Sequence, residues 1–152
     1  MKLRVYLDNC CFNRPFDDQT YFIIKLETEA KLLIQKEIND GNIDLVWSFI
    51  LHYENNDNPY YDRKEQIKLW EKISKETVLF NQNILEKSKE IMTLDIKEKD
   101  ALHLACALSA NSDCFITTDK KILNKNLEGI DILNPIDFVR RYYSENRNVP
   151  QT

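Results

Sequence analysis

The chain has only two glycines, Gly41 and Gly129, and that scarcity excludes whole classes of function. A G-x-G-x-x-G dinucleotide loop and a phosphate-binding P-loop both need glycines that are absent here. Histidine is as scarce, with His52 and His103 alone and no H-E-x-x-H pair. No nucleophile elbow accompanies either histidine. The four cysteines, Cys10, Cys11, Cys106 and Cys114, contain no C-x-x-C pair and border apolar runs. They read as reduced, packed thiols, an expectation that fits a cytoplasmic chain. No apolar run approaches the ~20 residues of a membrane span, and Met1 leads straight into a strand, which leaves no room for a signal peptide. A net charge of −4 argues against passive nucleic-acid binding through a basic surface.

What the chain does contain is a regular alternation of strands and helices. The 152 residues suit one domain, expected over 1–143, with a flexible tail over 144–152. Leu3, Val5 and Leu7 open a first strand, and the segment DNCCFNRPFDDQ reads as a loop broken by Pro15. A long helix is expected from about Thr20 to Asn39, with Ile23, Leu26, Ala30, Leu33 and Ile34 as its apolar stripe. Further strands are expected at Ile43–Trp47, Thr77–Phe80, Cys114–Thr117 and Ile130–Leu133. Between them lie helices, of which DALHLACAL is apolar almost all round and so deeply buried. The pattern predicts a three-layer α/β/α domain with a mostly parallel sheet of about five strands.

Four acids stand out against this frame. Asp8 ends the first strand, in LRVYLD, and Asp119 follows another, in DCFITTD. In an open parallel sheet, ligands bind outside the carboxyl ends of the strands. Asp100 lies near the start of the most apolar helix, and Glu54 lies on the helix after the second strand, with Asp57 as its substitute. Each has a plain structural role open to it: a turn, a helix cap, dipole complementarity or a solvated helix end. Together they point to a shared site, because clustered carboxylates stay ionised only beside a neutralising cation. Hard oxygen ligands suit Mg²⁺ or Mn²⁺, which makes the chain a candidate metal-dependent phosphodiesterase. Thr117 can orient a neighbouring carboxylate. Arg14, Lys97 and Lys120 lie close in sequence to these acids and are candidates for contacts with substrate phosphates.

The ordered set LDNC, SFILHYE, KDALHLACAL and CFITTDKKIL resembles the PIN-domain family, and VapC-type toxin ribonucleases within it. The resemblance reaches to about Leu133. It implies a small α/β/α nuclease that cleaves RNA with Mg²⁺ or Mn²⁺ held by Asp8, Glu54, Asp100 and Asp119. It also implies supporting roles for Asn9 and Thr117, a homodimer, and a small antitoxin protein as partner. The alternative reading is a PIN-like binding or regulatory module without catalysis. A haloacid-dehalogenase-type phosphatase is disfavoured, since Asp8-Asn9-Cys10 lacks the second acid of a D-x-D pair.

Overall fold

The computed structural model describes residues 2–146, with the side chain of Asn146 excepted. Its elements alternate as expected. They are β1 (Leu3–Leu7), α1 (Asn9–Asn13), a single 3-10 turn (Arg14–Phe16), α2 (Phe22–Asn39), β2 (Ile43–Ser48), α3 (Phe49–Asn56) and α4 (Tyr61–Ile73). Then follow β3 (Glu76–Val78), α5 (Gln82–Met92), α6 (Glu98–Ser109), β4 (Cys114–Ile116), α7 (Lys120–Leu123), β5 (Asp131–Leu133) and α8 (Pro135–Asn146). The five strands form one sheet in the order β3-β2-β1-β4-β5, and every pairing is parallel. The strand order reverses between β1 and β4, which makes the carboxyl end of that pair the natural crevice of the fold.

Helices cover both faces of the sheet, as parallel strands require. α2 packs against α8, and α5 against α6. Tyr6 and Phe115 stack on adjacent strands, with ring centroids 5.3 Å apart, and Phe12 meets Trp47 edge to face at 5.0 Å. α6 is buried at Ala101, His103, Leu104, Ala105, Cys106 and Ala107, as its apolar circumference predicts.

Three local expectations need correction. The segment after β1 is not a loop. Asp8 accepts a hydrogen bond from the Asn9 N–H and so caps the short helix α1, which the 3-10 turn at Pro15 then ends. The third strand lies at Glu76–Val78 and is shorter than expected, because Leu79 and Phe80 leave the sheet edge and are exposed. On α2, Ala30, Ile34 and Ile38 form the buried apolar row, while Ile23 and Leu33 face outward. That helix also buries charged groups, which no apolar stripe anticipates. Glu27 is held by Arg14, and Glu37 accepts from Tyr142, Tyr143 and Asn42. The closing helix spans Pro135–Asn146. The remaining tail, 147–152, lies outside the described residues. All four cysteines are free thiols; Cys10 is half-buried and the others buried. Among the described residues, no helix is long and apolar enough to cross a membrane.

Candidate active site

Asp8 and Asp119 stand where β1 and β4 end, at the point of strand-order reversal. The Asp8 N–H donates to the Ile116 carbonyl at 2.9 Å, which locks the two strand ends together. Thr117 ties the two acids to each other: its hydroxyl donates to Asp8 Oδ2 at 2.8 Å and accepts the Asp119 N–H at 3.1 Å. Asp119 also caps α7, accepting from the Lys121 N–H at 2.9 Å. A cap uses one oxygen and leaves the other open. Asn9 sits beside Asp8, and its side-chain oxygen accepts from Asn13. That contact steadies α1.

Glu54 reaches the same edge from α3, whose start is fixed by Ser48: the Leu51 N–H donates to Ser48 Oγ at 3.2 Å. Asp57 ends that helix as an exposed residue. The Glu54 carboxylate is bound by His103 Nε2, and Lys99 Nζ lies 4.0 Å from its other oxygen. His103 Nε2 also lies 3.9 Å from Asp8 Oδ1. Behind the ring, His103 Nδ1 meets Tyr6 Oη at 2.5 Å, and Tyr6 Oη meets Ser48 Oγ at 2.6 Å. One proton arrangement satisfies every group. Ser48 donates to Tyr6, Tyr6 donates to Nδ1, and the Nε2–H donates to Glu54. The residue that caps α3 and the residue that grips Glu54 therefore belong to one chain of bonds.

Asp100 lies in the first turn of α6 and shares a cavity of about 470 Å³ with Asp119, Lys97 and Lys121. Its carboxyl is raised above the ordinary range, first by burial and then by repulsion from Asp8 and Asp119, with Glu54 adding to it and His103 opposing. The four acids thus feel one another, but they stand as two pairs. Asp8 and Glu54 are bridged by His103, and Asp100 and Asp119 line the cavity. Among the described residues, no three acidic, histidine or cysteine side chains stand close enough to enclose an ion as placed.

The basic candidates divide. Lys97 and Lys121 border the Asp100–Asp119 cavity, whereas Lys120 begins α7 as an exposed residue. Arg14 is engaged elsewhere, donating to Glu27 at 2.9 Å and to Asp17 at 3.0 Å. No motif in the sequence brings His103 to the site. The signal was its spacing: three residues after Asp100 on a helix, it shares that acid's face. Cys10 is also at the site, with Sγ 3.6 Å from Asp8 Oδ2 and 3.5 Å from Thr117 Oγ1.

A family model described as PIN domain matches residues 5–126 of the chain. The chain belongs to the PIN-domain family. Every acid described above falls within the matched span. Two solved structures share the PIN fold. A toxin–antitoxin complex from Klebsiella pneumoniae is 16% identical, with 86% of this chain and 97% of that one covered and a TM-score of 0.61. VapBC2 from Rickettsia felis, bound to a DNA fragment from the promoter, is 13% identical, with 87% and 98% covered and a TM-score of 0.57. No curated protein matches the chain by sequence.

Proposed function

We propose that this PIN-domain protein is a metal-dependent endoribonuclease, with Asp8, Glu54, Asp100 and Asp119 as its catalytic acids. The observation that carries the reading is the convergence of acids from separate elements on the β1–β4 edge, where burial and mutual repulsion lift Asp100. Carboxylates alone are a hard donor set, and such a set fits Mg²⁺ or Mn²⁺. Asp8, Asp100 and Asp119 would hold the ion, with Glu54 completing the set. When bound, the ion supplies a water of lowered pKa and neutralises charge on the phosphoryl oxygens.

The chain's own residues do the rest. Thr117 keeps Asp8 and Asp119 aligned across the strand ends. His103 and Lys99 hold Glu54 at the edge. Lys97 and Lys121 place positive charge at the rim, where they meet substrate phosphates and offset the acidic body. Lys120, one residue before Lys121, extends that rim. Arg14 would serve substrate only by leaving Glu27 and Asp17.

The likeness to a toxin–antitoxin complex and to VapBC2 supports a toxin role, with a small antitoxin protein as inhibitor. We assign the protein to the cytoplasm, where its RNA lies, and to a homodimer, which light scattering of the purified chain checks. A non-catalytic regulatory module is the second reading, and the engagement of Glu54 by His103 and Lys99 is the observation in its favour.

Cleavage of a labelled mixed-sequence RNA by the purified chain separates the two. It is run with Mn²⁺, with Mg²⁺ and with EDTA, beside Asp8→Asn and Asp119→Asn. Metal-dependent cleavage that both variants lose supports the nuclease. A folded, partner-free protein that neither cleaves RNA nor binds metal supports the module.

A further inference from the structure

The turn that joins α3 to α4 carries exposed aromatic rings and one unusual arginine. Tyr53 precedes Glu54 on α3, and Tyr60 and Tyr61 lead into α4. All three are exposed, Tyr60 by 60% and Tyr61 by 73%. Arg63, in the first turn of α4, stacks on this surface. Its guanidinium lies 4.5 Å from the Tyr60 ring centroid and 5.0 Å from that of Phe16, and Nη2 donates to the Phe16 carbonyl at 3.1 Å. Arg4, Arg14, Arg140 and Arg141 each pair with a carboxylate. Arg63 pairs with none among the described residues, its sequence neighbours Asp57 and Asp62 included. Ring faces and a carbonyl therefore hold this cation in place while its charge stays open to an anion.

Side-chain bonds tie the turn to the acid edge. α1 starts at the Asp8 cap, and Asn13 at its far end donates to the Asn9 carbonyl at 3.0 Å. The Asn13 side-chain oxygen accepts from the Asn58 amide at 3.4 Å, and the Asn58 side-chain oxygen accepts the Tyr60 N–H at 3.1 Å. The five helical steps from Asp8 to Asn13 cover about 8 Å, so the turn begins close to the edge. Charge across the edge is completed from this side. Lys97 and Lys121 border the Asp100–Asp119 half, while at the other half Lys99 is taken by Glu54. Arg63 supplies a cation still open to a phosphate.

A planar guanidinium suits a phosphate, and an exposed tyrosine ring suits the face of a base. Bases within a duplex have their faces covered by neighbours, so the ring selects an unpaired strand. We propose that the α3–α4 turn is a subsite for single-stranded RNA, in which Arg63 binds a backbone phosphate and Tyr60 stacks on the adjoining base. The proposal rests on the nuclease reading and specifies its substrate as an unpaired strand.

The test separates binding from cleavage. Labelled unpaired RNAs of about 12 nucleotides, each with one 2-aminopurine, are titrated in EDTA against the native chain, Arg63→Gln, Arg63→Lys, Tyr60→Leu and Tyr60→Phe. Thermal melting checks that each variant is folded. Arg63→Gln is expected to weaken binding about tenfold and to lower the slope of log K against log salt by about 0.7, the release of one counter-ion. Arg63→Lys keeps that slope with part of the affinity. Tyr60→Leu is expected to weaken binding about tenfold and to abolish the quenching of one 2-aminopurine, which Tyr60→Phe retains. Unchanged affinity and slope in Arg63→Gln would overturn the proposal, as would quenching that survives in Tyr60→Leu, or no saturable binding by the native chain. Oligo-glutamate that binds through Arg63 as tightly as RNA would give the turn to an acidic protein partner and overturn it too. Cleavage of the same RNAs by the native chain with Mn²⁺ keeps the two readings apart. Cleavage beside unaffected variant binding strikes the subsite and leaves the nuclease. Binding that depends on Arg63 and Tyr60 without cleavage keeps the subsite and strikes the nuclease.

Discussion

The β1–β4 edge and the α2–α4 cavity both hold charge without a full complement of counter-ions, and they hold it by opposite means. At the edge the charge is negative and well supported. Asp8 accepts from the Asn9 N–H and Thr117, Asp119 from the Lys121 N–H, and Glu54 from His103. In the cavity between α2 and α4 the charge is positive: among the described residues, buried Lys31 rests on the ring faces of Phe12 and Trp70 alone. Hydrogen-bond support fixes where a carboxylate points, which suits a site that must orient a reacting group. Ring contacts compensate an ammonium only in part and leave its direction loosely set. The comparison predicts that edge residues and cavity residues respond differently to the same kinds of substitution.

The largest stability effect belongs to the support beneath the edge. His103→Ala would leave Tyr6 and Glu54 without their partner and open a cavity beside β1. It is expected to cost about 3 kcal/mol in urea unfolding, with His103→Gln recovering a part. A neutral result would separate Glu54 from the bond chain that begins at Ser48.

The cavity should respond with the opposite sign. Burial pushes the Lys31 amine down to about 8, from 10.5. Below that value the folded chain carries a charge it disfavours. Between about pH 8 and pH 10.5 the unfolded chain keeps the proton that the folded chain has lost, so stability rises with pH through that window. Lys31→Met should therefore stabilise the protein by about 2 kcal/mol at pH 7, net of the lost ring contacts. That advantage should shrink from pH 8 towards pH 10, as read by denaturant melts at each pH. A destabilised variant would mean that Lys31 already has its compensation.

These two residues also show what the sequence revealed and what it hid. Asp8 and Asp119 were legible because strands end visibly, in LRVYLD and CFITTD, and ligands gather at such ends. All five strands lie within a residue or two of where apolar runs put them. The helix α1 was hidden because its residues, NCCFN, have little helical preference, and the Asp8 cap that starts it also reads as a turn. Arg14 read as a phosphate contact because its partner Glu27 is thirteen residues away on another helix. His103 was hidden because its partners Tyr6 and Glu54 are distant in sequence. Lys31 occupies an inward position on α2, and only packing shows that no acid faces it.

Smaller effects sharpen the comparison. Ser48→Ala removes the cap of α3 and the bond to Tyr6 and is expected to cost about 1–2 kcal/mol by thermal melting, with weaker RNA cleavage because Glu54 shifts. An unchanged cleavage rate would show that Glu54 is placed without that chain. Asp100→Asn should do the reverse. It relieves repulsion from Asp8 and Asp119, so the metal-free protein gains stability, by less than about 1 kcal/mol after solvent screening, while cleavage is lost. A stability loss in EDTA would mean that Asp100 holds the fold rather than the site.

The most direct test of the acid edge is calorimetric titration of Mn²⁺ into the native chain, Asp8→Asn and Lys31→Met. The account predicts saturable binding in the native chain, weakened at least about tenfold in Asp8→Asn and unchanged in Lys31→Met. Absence of binding in the native chain, or equal binding in Asp8→Asn, would contradict it.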